Sequence, residues 1–424
     1  MTASSPSGHG DRHTVAVVVA IQAAISLGYF AAMAHVVIHL RDDLGLAAGT
    51  IGLVLALRNL VQHTLSLPVG ALVDVLGPVR TGVLACLLRA AGFVLLGSTP
   101  ALPWLVVAAV LLGTGGALFH PAAQALLAGL AERRRARGFA AYTMTLQVAA
   151  VLGPVLGLVL LNAGYWLVAL TAAALWLFAA FLFSLLRHVP RPAAISPAAI
   201  SPAAMGPAAM SGVASGVRTV LRDRVFVWFA AVSAPVMLLT DQPAVLVPLG
   251  GVDAGAVTVF SCVLAMVSAA VQPWCAVPGR ADRPRVLRAG LLLAAGGHLL
   301  LATGAGGGLA GLVVVAVLHG LADGLLQPAV FQTIARLAPP ERFGAYLGVQ
   351  TFLSGLLAFA GGIAVSWSFE RGPGGATAAL AVLALTACVA AACTRSLPGP
   401  GAGAPGRKAP PARDPEGPAP AARR

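Results

Sequence analysis

Long apolar stretches alternate with short polar ones along almost the whole chain. Each apolar stretch has about the 20 residues that a helix needs to cross the hydrocarbon core of a bilayer. Twelve such spans can be placed, at 15–38, 49–71, 80–98, 103–128, 139–161, 165–187, 225–248, 255–277, 286–304, 309–335, 344–368 and 374–394. The pattern predicts an all-α membrane protein with twelve transmembrane helices.

Polar and low-complexity segments flank and separate these spans. Residues 1–14 and 395–424 are predicted to be disordered tails, and residues 188–224 a linker between a first half at 15–187 and a second half at 225–394. The linker repeats Pro-Ala-Ala four times, and proline at this density prevents a continuous helix. We therefore expect two six-helix halves joined by a flexible tether.

The two halves repeat each other in sequence. When Asp74 is placed on Asp282, Arg80 falls on Arg288. A nearly identical offset continues the match further along, with the pairs Gly113 and Gly320, Leu118 and Leu325, and Pro121 and Pro328. Such a repeat predicts two halves that share one fold and are related by pseudo-symmetry.

Composition excludes a water-soluble fold. The chain is 58% hydrophobic and only 10% charged, whereas soluble domains average about 25% charged residues. Its net charge is +13, but 23 of the 27 Lys and Arg lie in loops and tails on one side of the twelve-span topology. This bias follows the positive-inside rule. It predicts a multi-pass protein of the plasma membrane with both termini cytoplasmic, rather than a nucleic-acid-binding surface.

The sequence carries no motif for enzyme chemistry. Nucleotide-binding loops, serine-nucleophile elbows and zinc-protease motifs are missing from it. The five cysteines lie in or near apolar runs without metal-ligand spacing. We expect no cofactor, no metal and no enzymatic activity, so any work the protein does must draw on an ion gradient.

Residues 70–80, with the sequence GALVDVLGPVR, form a turn between the second and third spans. This turn resembles the loop between helices 2 and 3 of the major facilitator superfamily. The positions that fit that loop are Gly70, Asp74, Gly77 and Arg80, and the positions that depart from it are Val75, Pro78 and Val79.

Further stretches narrow the resemblance to bacterial drug:proton antiporters. Residues 57–59, 88–93 and 115–121 follow in the order seen in those exporters. In the fifth span, Gly153, Pro154 and Gly157 match part of the antiporter motif, in which Leu158 replaces the last glycine. The resemblance covers the membrane core and excludes the tether and both tails.

The resemblance implies alternating access by two six-helix halves around a central site. Its most specific implication is efflux of small amphipathic compounds, as in multidrug resistance, by a monomer in exchange for protons. Proton-coupled uptake, or facilitated uptake, of a small solute is the alternative on the same fold. A membrane sensor that has lost transport is a third interpretation.

Asp323 is the main candidate for proton coupling. An ionisable group in hydrocarbon costs several kcal/mol unless it is paired or hydrated, and loss of water favours the protonated form of a carboxylate. His319 and Gln327 lie one turn to either side, so the three side chains are predicted to share a face. The resemblance points that face into the central cavity. The alternative is a permanent structural tie.

Two further groups are candidates for the same role. Asp241 lies in the outer half of the seventh span beside Gln242 and Pro243, either at the cavity mouth or merely at the membrane interface. His35 lies near the outer end of the first span and is the reserve proton carrier, or else a packing residue.

The candidates for substrate binding are polar or soft side chains at helical spacing. They are Gln22, Tyr29, Met33, Arg58, His120, Gln124, His319 and Gln327. Arg58 either binds an anionic group or locks two helices together, and His120 either binds substrate or satisfies a carbonyl that Pro121 leaves unpaired. Arg89, in the third span, is predicted to be structural.

Overall fold

The computed structural model describes residues 7–128, 132–186, 218–277, 279–304, 308–339 and 342–397. Within these residues eleven helices are long and apolar enough to cross a membrane. One more helix, Ala48–Leu76, occupies the place of the second predicted span. The chain is therefore an all-α membrane protein of twelve spans, as predicted. Of the predicted linker at 188–224, residues 188–217 lie outside the described residues, and so do residues 398–424 of the predicted tail.

The first half contains six helices. They are α1 (Ser7–Ile38), α2 (Ala48–Leu76), α3 (Pro78–Ser98), α4 (Leu102–Ala128), α5 (Glu132–Leu161) and α6 (Tyr165–Leu185). A π-helical turn, His39–Asp43, extends α1, and the His39 Nδ1 lies 2.7 Å from the Asp43 carboxylate across it.

The second half repeats this order. Its spans are α7 (Arg224–Leu249), α8 (Ala254–Cys275), α9 (Pro284–Ala302), α10 (Gly308–Leu337), α11 (Phe343–Phe369) and α12 (Pro373–Cys393). Unlike α1, span α7 is divided into three segments, Arg224–Ser233, Pro235–Asp241 and Pro243–Leu249. Each of the later two segments begins at a proline, which has no backbone N–H to continue the preceding helix.

Two helices extend beyond their predicted ends. The first begins at Ser7, so part of the predicted disordered tail is helical, and α5 begins at Glu132 rather than at residue 139. A nucleated helix adds one hydrogen bond for each further residue. A helix that forms within the bilayer can therefore continue into polar residues outside the membrane.

Each half has its own core. In the first half, the Phe119 ring packs edge-on against Trp176 at 5.6 Å and against Phe183 at 6.0 Å between ring centroids. In the second half, Phe226 packs against Tyr346 at 4.5 Å. Separate cores allow the halves to move as bodies relative to each other.

The halves meet at the distal end of the bundle, defined by the α1–α2, α7–α8 and α11–α12 connections. There the backbone N–H of Gly49 donates to the Glu370 carboxylate at 2.7 Å. One turn along α2, a Cβ on Gly52 would overlap Ser366 of α11, so glycine lets these two helices approach closely. Ile38 packs against a third apolar cluster that contains Val247. The contacts close the distal end.

A buried pair of histidines joins α9 to α10. The His298 Nδ1 lies 2.8 Å from the Ala294 carbonyl and the His319 Nδ1 lies 3.0 Å from the Val315 carbonyl. Carbonyls only accept, so both Nδ1 atoms carry hydrogen. The two rings lie 4.7 Å apart between centroids. Gly297 leaves the space that the His319 ring fills, because a Cβ there would overlap the ring.

We predict that Gly297→Ala lowers the midpoint of thermal unfolding of the purified protein. The added methyl displaces a buried, hydrogen-bonded ring, and overpacking of this kind costs about 1–3 kcal/mol. Gly296→Ala is the matched control, since the nearest atom to a Cβ there is 3.9 Å away on Leu318. Equal unfolding midpoints for the two variants would contradict the packing described for His319.

Candidate functional site

A central cavity lies between the two halves. Its volume is about 560 Å³, within the range of roughly 300–1,000 Å³ typical of small-molecule sites. Side chains of α1, α2 and α5 form one wall, and side chains of α7, α8, α10 and α11 form the other. The lining is mixed, with apolar residues such as Phe30, Leu55 and Phe260 interspersed with polar side chains from both halves.

Asp323 lies in the wall that the second half contributes. Its Oδ2 accepts a hydrogen bond from the Ser268 hydroxyl of α8 at 2.8 Å. Gly324, the next residue, packs against α8, where a Cβ would lie 2.9 Å from the Ser268 carbonyl. The close approach of α8 and α10 thus places a hydroxyl donor on the carboxylate.

Asp241 lies in the same wall, at the second break of α7. Because Pro243 has no N–H, the helix restarts there and Asp241 ends the preceding segment. Its Oδ2 lies 3.4 Å from the Asn59 amide of α2, across the cavity. Arg58 and Asp323 are both within electrostatic reach of this carboxylate. A discontinuous helix at mid-membrane is a feature of transporter binding sites.

Arg58 supplies the positive charge of the opposite wall. One guanidinium nitrogen donates to the Tyr29 hydroxyl at 2.7 Å, and another donates to the Asn59 side-chain oxygen. The guanidinium carbon also lies 5.5 Å from the centre of the Tyr29 ring. Its Nε is buried and has no hydrogen-bond partner among the described residues.

A second arginine, Arg89 of α3, lies behind this wall and is buried. Its Nε donates to the Leu112 carbonyl at 3.1 Å, and a terminal nitrogen donates to the Gln62 side-chain oxygen at 2.9 Å. The guanidinium faces the rings of Tyr29, at 5.1 Å, and Trp176, at 4.9 Å. Carbonyl, amide and aromatic faces together stabilise this cation.

Two consecutive glycines of α4 make the Arg89 site possible. A Cβ on Gly115 would lie 2.6 Å from the Arg89 Cγ, and a Cβ on Gly116 would overlap both Arg89 and Gln62. Gly115 and Gly116 therefore leave room for Arg89. The three residues belong to two of the exporter-like stretches, 115–121 and 88–93.

The structure brings part of the predicted site together. Of the candidate residues, those that line the cavity are Tyr29, Met33, Arg58, Asp241, Asp323 and Pro154. Several lining residues were not predicted, because neutral polar side chains in an apolar span are less conspicuous than charged ones. They include Asn59, Gln62, Ser268 and Gln272. For Asn59 and Gln62, the sequence signal was their position one and four residues after Arg58 in an otherwise apolar helix.

Two predicted substrate ligands face elsewhere. Gln22 is buried within the first half, where its amide donates to Ser26 at 2.9 Å. His319 does not share the cavity face of Asp323, because it packs against Gly297 and His298 of α9. The space that Gly297 leaves in α9 accepts the ring, so His319 packs between helices although it lies one turn from Asp323.

His35 is buried between α1 and α5 rather than in the cavity wall. Its Nε2 lies 3.1 Å from the Pro154 carbonyl, and because a carbonyl only accepts, the neutral ring carries its proton on Nε2. Small residues of the partial antiporter motif allow this contact. A Cβ on Gly157 would lie 2.7 Å from the ring, and one on Gly153 would lie 2.5 Å from Phe30.

Three more candidates are exposed and lie outside the cavity wall. They are His120, Gln124 and Gln327. The His120 Nδ1 lies 3.1 Å from the Tyr142 hydroxyl of α5, so this histidine links two helices of the first half.

The predicted turn at 70–80 is shorter than expected. The second helix continues to Leu76, so Gly70 and Asp74 belong to it, while their side chains lie outside the described residues. Gly77 alone separates α2 from α3, and its φ of 83° favours glycine. Arg80 lies exposed in the first turn of α3.

Comparisons of the sequence with known proteins find a matching family and several similar transporters. A family profile described as Major Facilitator Superfamily matches residues 18–280. The multidrug resistance protein MdtH of Shigella dysenteriae is 30% identical over 82% of this chain and 84% of its own length. An uncharacterized MFS-type transporter of Mycobacterium tuberculosis, Rv0849, is 36% identical over 37% of each chain.

Solved structures share the fold at low sequence identity. A crystal structure of the peptide transporter POT in complex with sulfate superposes with a TM-score of 0.74 at 17% identity, covering 90% of this chain and 94% of that chain. A bacterial homologue of the human drug peptide transporters gives a TM-score of 0.69 at 15% identity, covering 91% and 98%. At this identity the similarity concerns the fold alone.

We predict that Arg89→Lys destabilises the protein. An ammonium lacks the planar fork that reaches Leu112 and Gln62 at once and lies flat between two rings. Each hydrogen bond lost by a charged group costs about 1.5–3 kcal/mol, so the midpoint of thermal unfolding should fall. Arg80→Lys makes the same change at an exposed position and should leave it unchanged. An Arg89→Lys variant with an unchanged unfolding midpoint would show that the guanidinium contributes little to stability.

Proposed function

The chain belongs to the Major Facilitator Superfamily and is a membrane transporter of small molecules rather than an enzyme, and on that basis we propose that it exports amphipathic compounds in exchange for protons. The proposal includes a monomer in the plasma membrane that works by alternating access and needs no cofactor. The name of the Shigella relative, a multidrug resistance protein, supports the export direction.

The observation that carries the proposal is the pair of aspartates in one cavity wall. Asp241 and Asp323 both line the cavity, and each is contacted by a neutral donor, Asn59 or Ser268. Arg58 acts on Asp241 electrostatically, but neither aspartate has a direct ion pair among the described residues. Carboxylates without a direct ionic partner in a low-dielectric site are suited to binding and releasing protons. Antiport requires such groups because proton and substrate must compete for one site.

The composition of the cavity supports an amphipathic substrate. Apolar side chains, among them Phe30, Met33 and Phe260, provide somewhat more than half of the wall, and polar side chains from both halves provide the rest. A lipophilic compound with one cationic group can bury its apolar body there and place its charge beside Asp323. Protonation of the carboxylate removes that attraction and releases the compound.

The arrangement of the halves supports alternating access. Separate cores allow each half to move as a body. The halves pack on each other along α2 and α11 and along α5 and α8, and the contact of Gly49 with Glu370 lies at the distal end. Breaking these contacts would expose the cavity at the distal end. The partial antiporter motif acts at the α1–α5 contact, where Gly153 and Gly157 set the distance between helices.

Asp323→Asn tests the coupling step. The amide imitates a permanently protonated carboxyl at nearly the same volume, so uphill export should fall at least tenfold while exchange down a gradient survives. The measurement is substrate-induced proton release from the purified protein, beside export from cells. Asp253→Asn is the matched control, because Asp253 is a helix cap outside the cavity that asparagine can replace.

Three outcomes would contradict this assignment. Undiminished proton release from Asp323→Asn, with release lost in Asp241→Asn, would transfer the role to Asp241. Proton release retained in both variants would point to His35 as the proton carrier instead. Gradient-driven accumulation of one polar solute by the unaltered protein, without export of any lipophilic cation, would favour uptake instead.

Orientation is tested at two glycines at opposite ends of the bundle, Gly344 in the first turn of α11 and Gly374 in the first turn of α12. A Cβ at Gly344 or at Gly374 meets no atom within 4 Å, so cysteine fits at either position. Because basic residues crowd one side, we place both termini in the cytoplasm. In a variant without the five native cysteines, an impermeant maleimide added to intact cells should label Gly374→Cys and spare Gly344→Cys. The reverse pattern would overturn the orientation.

A further inference from the structure

We infer that the cavity selects amphoteric compounds, which carry a cationic group and an anionic group on one molecule, and holds them between Arg58 and the two aspartates. The inference rests on the proposed function and names its substrate class. It follows from the way charge is divided between the two walls of the cavity.

In the wall of the first half, the guanidinium of Arg58 has only neutral hydrogen-bond partners. Arg58 donates to the neutral oxygens of Tyr29 and Asn59, and its buried Nε–H has no acceptor among the described residues. Within that part of the chain, no carboxylate lies within ion-pairing distance of Arg58. Asp241 acts on Arg58 electrostatically from the opposite wall, but the two form no direct ion pair, so the guanidinium can still pair with an anionic ligand atom.

Arg89 adds to the positive character of this wall without lining it. The two guanidinium carbons lie 5.5 Å and 5.1 Å from the centre of the same ring, that of Tyr29. Two cations around one phenol repel each other unless negative charge comes close. A ligand carboxylate beside Arg58 supplies that charge from the cavity side, where Arg89 itself cannot reach.

The wall of the second half has the opposite character. Asp241 and Asp323 both face the cavity, and their recorded hydrogen bonds come from an amide and a hydroxyl. No lysine or arginine forms an ion pair with either of them in the described part of the chain. This wall therefore suits the cationic end of a ligand, and the apolar surface between the walls suits its body.

A simple lipophilic cation uses only half of this arrangement. It pairs with the aspartates but forms no favourable contact with the Arg58 guanidinium, whose positive charge repels it. An amphoteric ligand satisfies both walls at once. Guanidinium and carboxylate form charge-assisted hydrogen bonds that are stronger than neutral ones, so the added anionic group should raise the affinity.

The test compares rhodamine B, which carries a carboxylate and a delocalised cation, with its ethyl ester, which keeps only the cation. Binding to the purified full-length protein is measured by fluorescence polarisation. We expect the acid to bind at least about tenfold more tightly than the ester. Arg58→Gln should weaken the acid to the level of the ester and leave the ester unchanged, whereas Asp241→Asn should weaken both.

Arg58→Lys protects the test against a folding defect, because it keeps the charge and should retain part of the preference for the acid. An ester that binds the unaltered protein as tightly as the acid, or binding of neither dye, would overturn the inference. So would an Arg58→Gln variant that weakens both dyes equally. Failure of the proposed function has a different signature: the acid is preferred, but its binding releases no protons.

Discussion

Hydrocarbon offers no partner to a polar group, and this constraint governs how charge is distributed in the protein. A charged side chain between the spans must be held by other protein groups or face a cavity. Arg89 and Arg58 illustrate the two solutions. Arg89 is enclosed by a carbonyl, an amide and two aromatic faces, whereas Arg58 lines the cavity with one donor unused. The first arginine is thus satisfied entirely by protein groups, whereas the second faces the cavity.

Small and helix-breaking residues make these arrangements possible. Gly115 and Gly116 leave room for Arg89, and Gly157 leaves room for His35. Pro243 interrupts α7 and so places Asp241 at a helix end inside the cavity. In a membrane, where helices gain little from hydrophobic exclusion, close approach at small residues provides much of the packing. The positions of glycine and proline thus fix where polar side chains can go.

The two halves share a fold but differ in how they place polar groups. The alignment that pairs Asp74 with Asp282 also places Arg89 on Gly297. In the first half, α3 supplies the buried cation and α4 supplies the glycines; in the second half, α9 supplies the glycine and α10 supplies the ring of His319. In the cavity wall itself, the first half contributes Arg58 and the second half contributes Asp241 and Asp323. A site at the interface of repeats becomes asymmetric in charge although its backbone is symmetric.

The sequence by itself determined the twelve spans and the internal repeat, because apolar length and repeated Gly, Pro, Asp and Arg positions are local properties of the chain. It also singled out Asp323, Asp241 and Arg58, since charge inside an apolar run is conspicuous. Only the tertiary structure decided that His319, Gln22 and His35 face neighbouring helices and that Asn59 and Ser268 face the cavity. The reason is physical: lipid and protein interior are both apolar, so periodicity along a span does not distinguish the side that faces lipid, a neighbouring helix or the cavity. That choice depends on which helices pack together.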